Sequence, residues 1–147
     1  MDRPWIAANQ RERERLHALL GRLSVSDLQQ PLNETWRVAT TFAHLAFWDR
    51  RAALLIQRWQ QGQTPPADES DWYGAEVLND GLLDEWNALP VSEAVRLVVD
   101  AAALVDLVAR DVDDATAEAI VARQEDWLLH RWRHRAEHID AVAGATD

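Results

Sequence analysis

The longest helical pattern in the chain reads Trp36-Arg-Val-Ala-Thr-Thr-Phe-Ala-His-Leu-Ala-Phe-Trp48 and continues Asp49-Arg-Arg-Ala-Ala-Leu-Leu-Ile-Gln-Arg-Trp59. Its most apolar face recurs at alternating steps of three and four residues, through Val38, Thr41, Leu45, Trp48, Ala52, Leu55 and Trp59. This spacing keeps the face in line over about six helical turns and is typical of the seam of a helical bundle. We therefore predict a helix that starts near Thr35 or Trp36 and ends at Gly62.

The remainder of the chain also has helical spacing, with its few glycines and prolines at the boundaries. It predicts helices over residues 4–23, 73–89, 91–108 and 124–143, the last of them ending at Gly144. Three connections are expected: a short capped turn at 24–27, a loop at 63–70 and a polar, turn-like segment at 111–118. The sequence leaves open whether the two helices beside Pro90 are one interrupted helix or two packed pieces.

These elements predict an all-α fold, because the alternation of apolar and polar residues that marks a half-buried strand is nowhere sustained. The pattern contains four principal helices and one extra segment. With 147 residues, the chain has the length of one domain that can bury most of its apolar surface. We expect a single helical-bundle domain over residues 1–147.

The composition excludes several classes of partner. The net charge of −10 argues against nucleic acid, whose phosphates are bound by clustered Lys and Arg. The chain has no cysteine, so a metal site must use nitrogen and oxygen ligands. The first residues, Met1-Asp-Arg-Pro-Trp5, lack the profile of a signal peptide, and no apolar run approaches the ~20 residues that span a bilayer. We expect a cytoplasmic protein that binds neither membranes nor nucleic acid.

Three histidines are the candidate metal ligands. His134 and His138 are four residues apart, a spacing that stacks two imidazoles on one helix face within reach of one ion. His44, at the edge of the apolar face of the long second helix, would complete a three-nitrogen site with one position open, as in catalytic zinc centres. The alternative is that all three are packing residues at the edge of the core. His130 is rotated further toward solvent, and we interpret it as an outer residue.

Arg135 falls within the apolar arc of the last helix, where a charge needs a partner or a path to water. It could hold an anionic substrate group beside the metal, or form an ion pair with an acid of the first helix, and we favour the ion pair. Trp36, Trp48, Trp127 and Trp132 lie in helical register with the histidines and could wall an apolar pocket. Core packing is the alternative explanation for at least half of these tryptophans.

Two segments of this chain are similar to the signature segments of a known family. In Trp36–Asp49 a Trp starts the helix and His44-Leu precedes Trp48-Asp49, and the closing run His134-Arg-Ala-Glu-His138-Ile has the form H-x-x-E-H-hydrophobic. The segment Ala75-Glu-Val-Leu-Asn-Asp80 is similar to an Asn-containing start of the third helix. Together these segments resemble the DinB-like (YfiT-like) superfamily of bacterial four-helix-bundle proteins.

The resemblance implies an up-down-down-up four-helix bundle with a long crossover, and frequently a homodimer. It also implies that His44, His134 and His138 bind a divalent metal. Members of the family include transferases and isomerases that use mycothiol or bacillithiol, and cyclopropane hydrolases. We expect zinc or nickel, although imidazole ligands also suit copper and iron.

We therefore expect a metal-dependent enzyme that acts on a small molecule, either by hydrolysis or by transfer of a low-molecular-weight thiol. Both reactions need one vacant coordination position, so the motif does not choose between them. The expected pocket residues are Trp48, Asn79, Trp127 and Arg135, with Asp49 a weaker candidate. The alternatives are a non-catalytic binding or stress-sequestration module with an incidental or absent metal, and a purely structural dimerisation domain.

Overall fold

The computed structural model describes residues 1–64 and 74–147. These residues form seven α-helices and no β-strand: α1 (Trp5–Arg22), α2 (Val25–Gln29), α3 (Val38–Gln60), α4 (Ala75–Ala88), α5 (Val91–Asp111), α6 (Asp114–Ala122) and α7 (Arg131–Thr146). A single 3₁₀ turn, Asp126–Leu128, precedes α7. The predicted all-α class is confirmed. None of the described helices combines the length and apolar character needed to cross a lipid bilayer.

The four longest helices contact one another in the cyclic order α1, α7, α3, α5. The most extensive contacts are those of α3 with α5 and of α1 with α7. The shorter helix α4 packs on α3, and α2 lies against α3 and α5. This arrangement places α3 beside α7, the two helices on which the candidate histidines lie.

The first three helices follow the sequence pattern closely. α1 begins and ends within one residue of the predicted span. The hydroxyl of Ser24 accepts a hydrogen bond from the backbone N–H of Asp27, whose carboxylate accepts one from the N–H of Ser24, so the predicted cap is present as a capping box. In α3 every seam position is buried except Leu55, which is half-buried. The three-four repeat is thus the core-facing surface of α3.

Pro90 separates two helices. α4 ends at Ala88 and α5 begins at Val91. Leu89 has extended backbone angles (φ −64°, ψ 137°), as expected of a residue that precedes a proline. The question that the sequence left open is therefore answered by two separate helices, of which α4 packs on α3.

The predicted turn-like segment at 111–118 is correct for Val112 and Asp113 and wrong for the other residues, which are helical. α5 continues to Asp111, and α6 begins at Asp114. The carboxylate of Asp113 accepts a hydrogen bond of 2.7 Å from the backbone N–H of Thr116 and so caps the new helix. Ala117 and Ile120 on this helix are fully buried. Because residues 111–118 are mostly polar, the sequence pattern did not reveal the start of α6 or its two core positions, Ala117 and Ile120.

The predicted start of the last helix at Gln124 is also wrong, because α7 begins at Arg131. Gln124 has a left-handed backbone (φ 59°), which interrupts any helix at this point. Asn9 of α1 then fixes the true start: its Oδ1 accepts a hydrogen bond from the N–H of Trp132 (2.9 Å), and its Nδ2 donates one to the carbonyl of Leu129 (2.8 Å). α7 continues through Gly144 to Thr146.

Two predictions fall on residues that the structure does not describe. The predicted loop at 63–70 and the predicted helix start at Tyr73 lie mostly within residues 65–73, outside the described parts of the chain. The first described helix after this segment is α4, which starts at Ala75.

The buried apolar side chains form two clusters, and a layer of polar side chains lies between them. The first cluster contains Leu16, Phe42, Leu45, Val98, Ile139 and their neighbours. The second contains Trp5, Ile56, Val105, Ile120, Leu128 and their neighbours. Along α1, α3 and α7, the buried residues Asn9, Asp49 and Arg135 lie between members of the two clusters.

We call Asn9, Asp49, Asp106, Arg131 and Arg135 the buried charge layer. Asp49 accepts hydrogen bonds from Arg131 Nε (2.9 Å) and Arg135 Nη2 (3.2 Å). Arg135 also donates to Asp106 (3.0 Å) and to the backbone carbonyl of Asn9 (2.9 Å). The predicted pairing of Arg135 with an acid of the first helix is therefore wrong: its carboxylates come from α3 and α5, and α1 supplies a carbonyl.

We predict that Asp49→Ala destabilises the protein by about 3–5 kcal/mol, because it leaves two buried guanidiniums without their shared carboxylate. Urea unfolding followed by circular dichroism measures this loss. The matched control is Asp140→Ala, which removes an exposed carboxylate paired with Arg15 and should change stability by less than about 1 kcal/mol. Equal effects of the two substitutions would contradict this account of the layer.

Candidate functional site

Helices α3 and α7 bring the three predicted metal-ligating histidines together. His44 lies on α3, and His134 and His138 lie one turn apart on α7. The Nε2 atom of His134 is 2.9 Å from Nε2 of His44 and 3.1 Å from Nε2 of His138. One nitrogen from each ring lies within 4.8 Å of the other two. The sequence spacing and the contact between α3 and α7 thus produce one cluster of three imidazoles.

Burial keeps these imidazoles neutral at physiological pH. It lowers the pKa of His44 to about 3, with a further contribution from the neighbouring His138. It lowers the pKa of His134 to about 2, and the nearby guanidinium of Arg131 adds to the effect. The pKa of His138 is lowered by burial as well. Each ring therefore has one nitrogen with a free electron pair, as a metal ligand must.

Tryptophans enclose the cluster. The ring of Trp36 lies 4.9 Å from that of His44 and stacks on that of His138 at 6.2 Å. Trp86 presents its ring edge-on to His44 at 5.3 Å. These indoles cover His44 and His138 with apolar surface, which contributes to the desolvation that lowers the pKa values of these two rings.

The buried charge layer reaches the cluster through Arg131. Its Nη2 lies 3.1 Å from Nδ1 of His134, its Nε donates to Asp49, and its Nη1 donates to the carbonyl of Trp127 at 3.2 Å. Arg131 is only 3% exposed. The imidazole of His134 is therefore held on one side by a guanidinium that is itself fixed at two further points.

A cavity of about 330 Å³ adjoins the cluster. Its described lining consists of two imidazoles, two indoles, two guanidiniums, one amide and two small residues: His44, His134, Trp48, Trp127, Arg51, Arg131, Asn79, Gly74 and Ala75. The indole N–H of Trp48 donates to Oδ1 of Asn79 at 2.8 Å. The guanidinium of Arg51 lies over the rings of Trp48 (5.2 Å) and Trp127 (5.8 Å). A small molecule in this cavity would contact the histidines directly.

The predicted pocket residues divide into two groups. Trp48, Asn79 and Trp127 line the cavity, whereas Arg135 is absent from its described lining and lies in the buried charge layer. The indole N–H of Trp132 donates to His130 at 3.1 Å, outside the three-histidine cluster. Asp49, the weaker candidate, pairs with Arg131 and Arg135 instead of lining the cavity.

Sequence reasoning did not select Arg51, Trp86 or Arg131 for the site. Arg131 had one available signal, because it lies beside Arg135 near the apolar arc of the last helix. The structure also contains a larger cavity of about 510 Å³, lined by Phe47, Leu54, Trp86 and Arg51 among others. None of the three histidines belongs to the described lining of that cavity. A search for the larger cavity would therefore not have identified the cluster.

The three imidazoles fit a divalent ion in donor type and spacing. Two nitrogens bound to one tetrahedral zinc at 2.0–2.1 Å lie about 3.3 Å apart. The observed Nε2 separations of 2.9 and 3.1 Å come within a few tenths of an ångström of that value. Nδ1 of His44, the nitrogen that does not face the cluster, is buried and has no hydrogen-bond partner among the described residues, so this ring lacks the supporting contact that most metal-ligating histidines have. An all-nitrogen set suits zinc, nickel, copper or iron.

No family model, curated protein or solved structure matches this chain. The similarity of its signature segments to the DinB-like superfamily therefore stays a prediction from sequence.

We predict that the chelator-treated protein loses stability as the pH falls from about 6.5 to about 5, a window that lies above the ordinary pKa of carboxyl groups. The unfolded chain binds protons on its histidines near pH 6.5, whereas the folded rings of His44 and His134 stay neutral, so acid favours unfolding. Each ring contributes up to about 1.4 kcal/mol per pH unit.

Urea unfolding at several pH values measures this slope. His44→Gln cannot take up the proton and should have a shallower slope than the wild type, whatever its stability at neutral pH. Identical slopes for the two proteins would contradict the lowered pKa of His44.

Proposed function

We propose that this chain is a divalent-metal-dependent enzyme acting on a small molecule, with His44, His134 and His138 as the metal ligands. The observation that carries the proposal is the clustering of three ligand nitrogens within 4.8 Å of one another beside a cavity. Three protein nitrogens with an adjoining space are the arrangement of catalytic centres, which keep one position for water or substrate. Structural zinc sites use four protein ligands instead.

A divalent ion at this site would supply Lewis-acid chemistry, because it lowers the pKa of a water or thiol that binds to it. The residues around it have separable roles. Arg131, itself paired with Asp49, contacts Nδ1 of His134, the nitrogen of that ring that does not face the other two imidazoles. Trp36 and Trp86 cover the imidazoles and exclude water from that side. Trp48, Trp127 and Asn79 would contact the substrate in the cavity.

The reaction in this proposal is hydrolysis or the transfer of a low-molecular-weight thiol of the mycothiol or bacillithiol type. Both reactions use the same vacant position. The apolar cavity walls formed by Trp48 and Trp127 suit a substrate with an apolar body. Membership of the DinB-like superfamily is part of the proposal, and the cyclic contact order of the four long helices supports a bundle of that kind. A cytoplasmic homodimer is proposed on the resemblance and the sequence alone.

One observation favours a second candidate, a non-catalytic small-molecule binding module. The three rings already lie within hydrogen-bond distance of one another, at 2.9 and 3.1 Å, and Arg131 approaches the second nitrogen of His134. Imidazoles whose Nε2 atoms are hydrogen-bonded to one another in this way do not require a metal at that point. In that case the cavity of about 330 Å³ would bind its ligand through Trp48, Trp127 and Asn79.

Elemental analysis of tag-free protein decides between the two candidates. We expect about one equivalent of zinc or nickel in the wild type and its loss in His44→Ala, because two remaining imidazoles bind an ion only weakly. The helix content measured by circular dichroism should change little, since His44 makes no backbone contact that ends or caps a helix.

His130→Ala is the matched control. His130 lies at the start of the same helix and hydrogen-bonds to Trp132, so its removal should leave the metal content unchanged. If the wild type takes up no metal even after divalent ions are added, the enzyme proposal fails and the binding module becomes the better description.

A further inference from the structure

The contact between Arg131 and His134 determines where the proton of that imidazole lies. Arg131 Nη2 is 3.1 Å from Nδ1 of His134. A guanidinium has five N–H donors and no acceptor, and it stays protonated in proteins. Nδ1 of His134 must therefore accept, and in a neutral imidazole the single N–H then lies on Nε2.

The other two histidines have the opposite arrangement. The Nε2–H of His134 faces Nε2 of His44 at 2.9 Å and Nε2 of His138 at 3.1 Å. These two nitrogens are then hydrogen-bond acceptors, so their electron pairs point toward the centre of the cluster. His44 and His138 are ready to bind an ion through Nε2, whereas His134 presents a hydrogen at the same place.

Arg131 has little freedom to relax this arrangement. All three nitrogens of its guanidinium have partners: Asp49, the carbonyl of Trp127 and His134. Asp49 is in turn held by Arg135, and both are 1% exposed. Rotating the guanidinium away from His134 would break hydrogen bonds of a side chain that is only 3% exposed, where each unsatisfied charged donor is costly.

We propose that Arg131 is a positioning residue that holds His134 with its hydrogen on Nε2 and so makes the metal-free cluster a closed, hydrogen-bonded unit with reduced affinity for a divalent ion. The part concerning affinity rests on the proposed function. Ligation through Nε2 of His134 requires its proton to move to Nδ1 and the contact with Arg131 to be lost. A hydrogen bond to a charged group of this kind is worth about a ten- to hundredfold change in an equilibrium.

The proton position is tested first, on the wild-type protein without metal. The ¹⁵N chemical shifts of the imidazole nitrogens distinguish a nitrogen with hydrogen from one without, and His134→Ala identifies the signals of this ring. We expect hydrogen on Nε2 of His134 and on Nδ1 of His44. Hydrogen on Nδ1 of His134 would overturn the proposal without recourse to any variant.

Zinc affinity is measured next by competition with a chromogenic chelator. Arg131→Gln should bind zinc about ten- to a hundredfold more tightly than the wild type, because an amide oxygen can accept from Nδ1–H of His134. Arg131→Lys keeps a head group that only donates hydrogen bonds. This variant should therefore retain the wild-type tautomer of His134 and the wild-type affinity for zinc. Arg133→Gln, an exposed arginine of the same helix paired with Asp126, is the matched control and should bind zinc as the wild type does.

The possible outcomes separate this inference from the proposed function. Equal or weaker zinc binding by Arg131→Gln would overturn the role of Arg131, while one equivalent of metal in the wild type would still support the enzyme. If no variant binds zinc, the enzyme proposal and the affinity effect both fail. The spectrum of the metal-free protein still decides in that case whether Arg131 sets the tautomer of His134.

Discussion

The ion pairs around Asp49 connect helices that apolar contacts alone would hold less specifically. Asp49 on α3 binds two guanidiniums of α7, and Arg135 extends the connection to Asp106 on α5 and to the carbonyl of Asn9 on α1. Apolar burial is non-directional, whereas these contacts are satisfied in only one register of the helices. Burial itself is unfavourable here, since it raises the pKa of Asp106 although Arg135 opposes the shift. We infer that the layer contributes specificity of packing more than net stability.

The position of the histidine cluster is a consequence of that register. His44 precedes Asp49 on α3 by five residues, and His134 follows Arg131 on α7 by three. In the structure with Asp49 paired to Arg131, the Nε2 atoms of His44 and His134 lie 2.9 Å apart, and Arg131 contacts both Asp49 and His134. The interaction that aligns the two helices therefore also orients a candidate metal ligand. The side chain of Arg131 thus takes part both in the packing of α3 against α7 and in the histidine cluster.

The long periodic helices and the three histidines were predictable from sequence, while features set by tertiary contacts were not. Periodicity identifies the buried face of a helix, so the seam of α3 and the span of α1 were predicted well. The start of α7 was not predicted well, because it depends on hydrogen bonds with Asn9, a residue that lies more than a hundred positions away in the chain. For the same reason the sequence indicated that Arg135 needs a partner, but it could not indicate which helix supplies it. Trp48, Asn79 and Trp127 in the cavity lining were predicted, whereas Arg51 and Arg131 were not, because α3, α4 and α7 must first be placed together.

The charges around the cluster constrain the ligand that a metal at this site would favour. Three neutral imidazoles contribute no negative charge, and Arg131 beside them is positive. The nearest carboxylate of the layer, Asp49, is already shared between two guanidiniums, and none of the described residues that line the cavity is acidic. Two further positive charges from an ion would therefore have no free carboxylate in the described cavity lining to offset them, in an environment of indoles that screens charge poorly. An anionic fourth ligand, such as a thiolate or a deprotonated water, would offset one of these two charges, and it is the ligand type that both proposed reactions require.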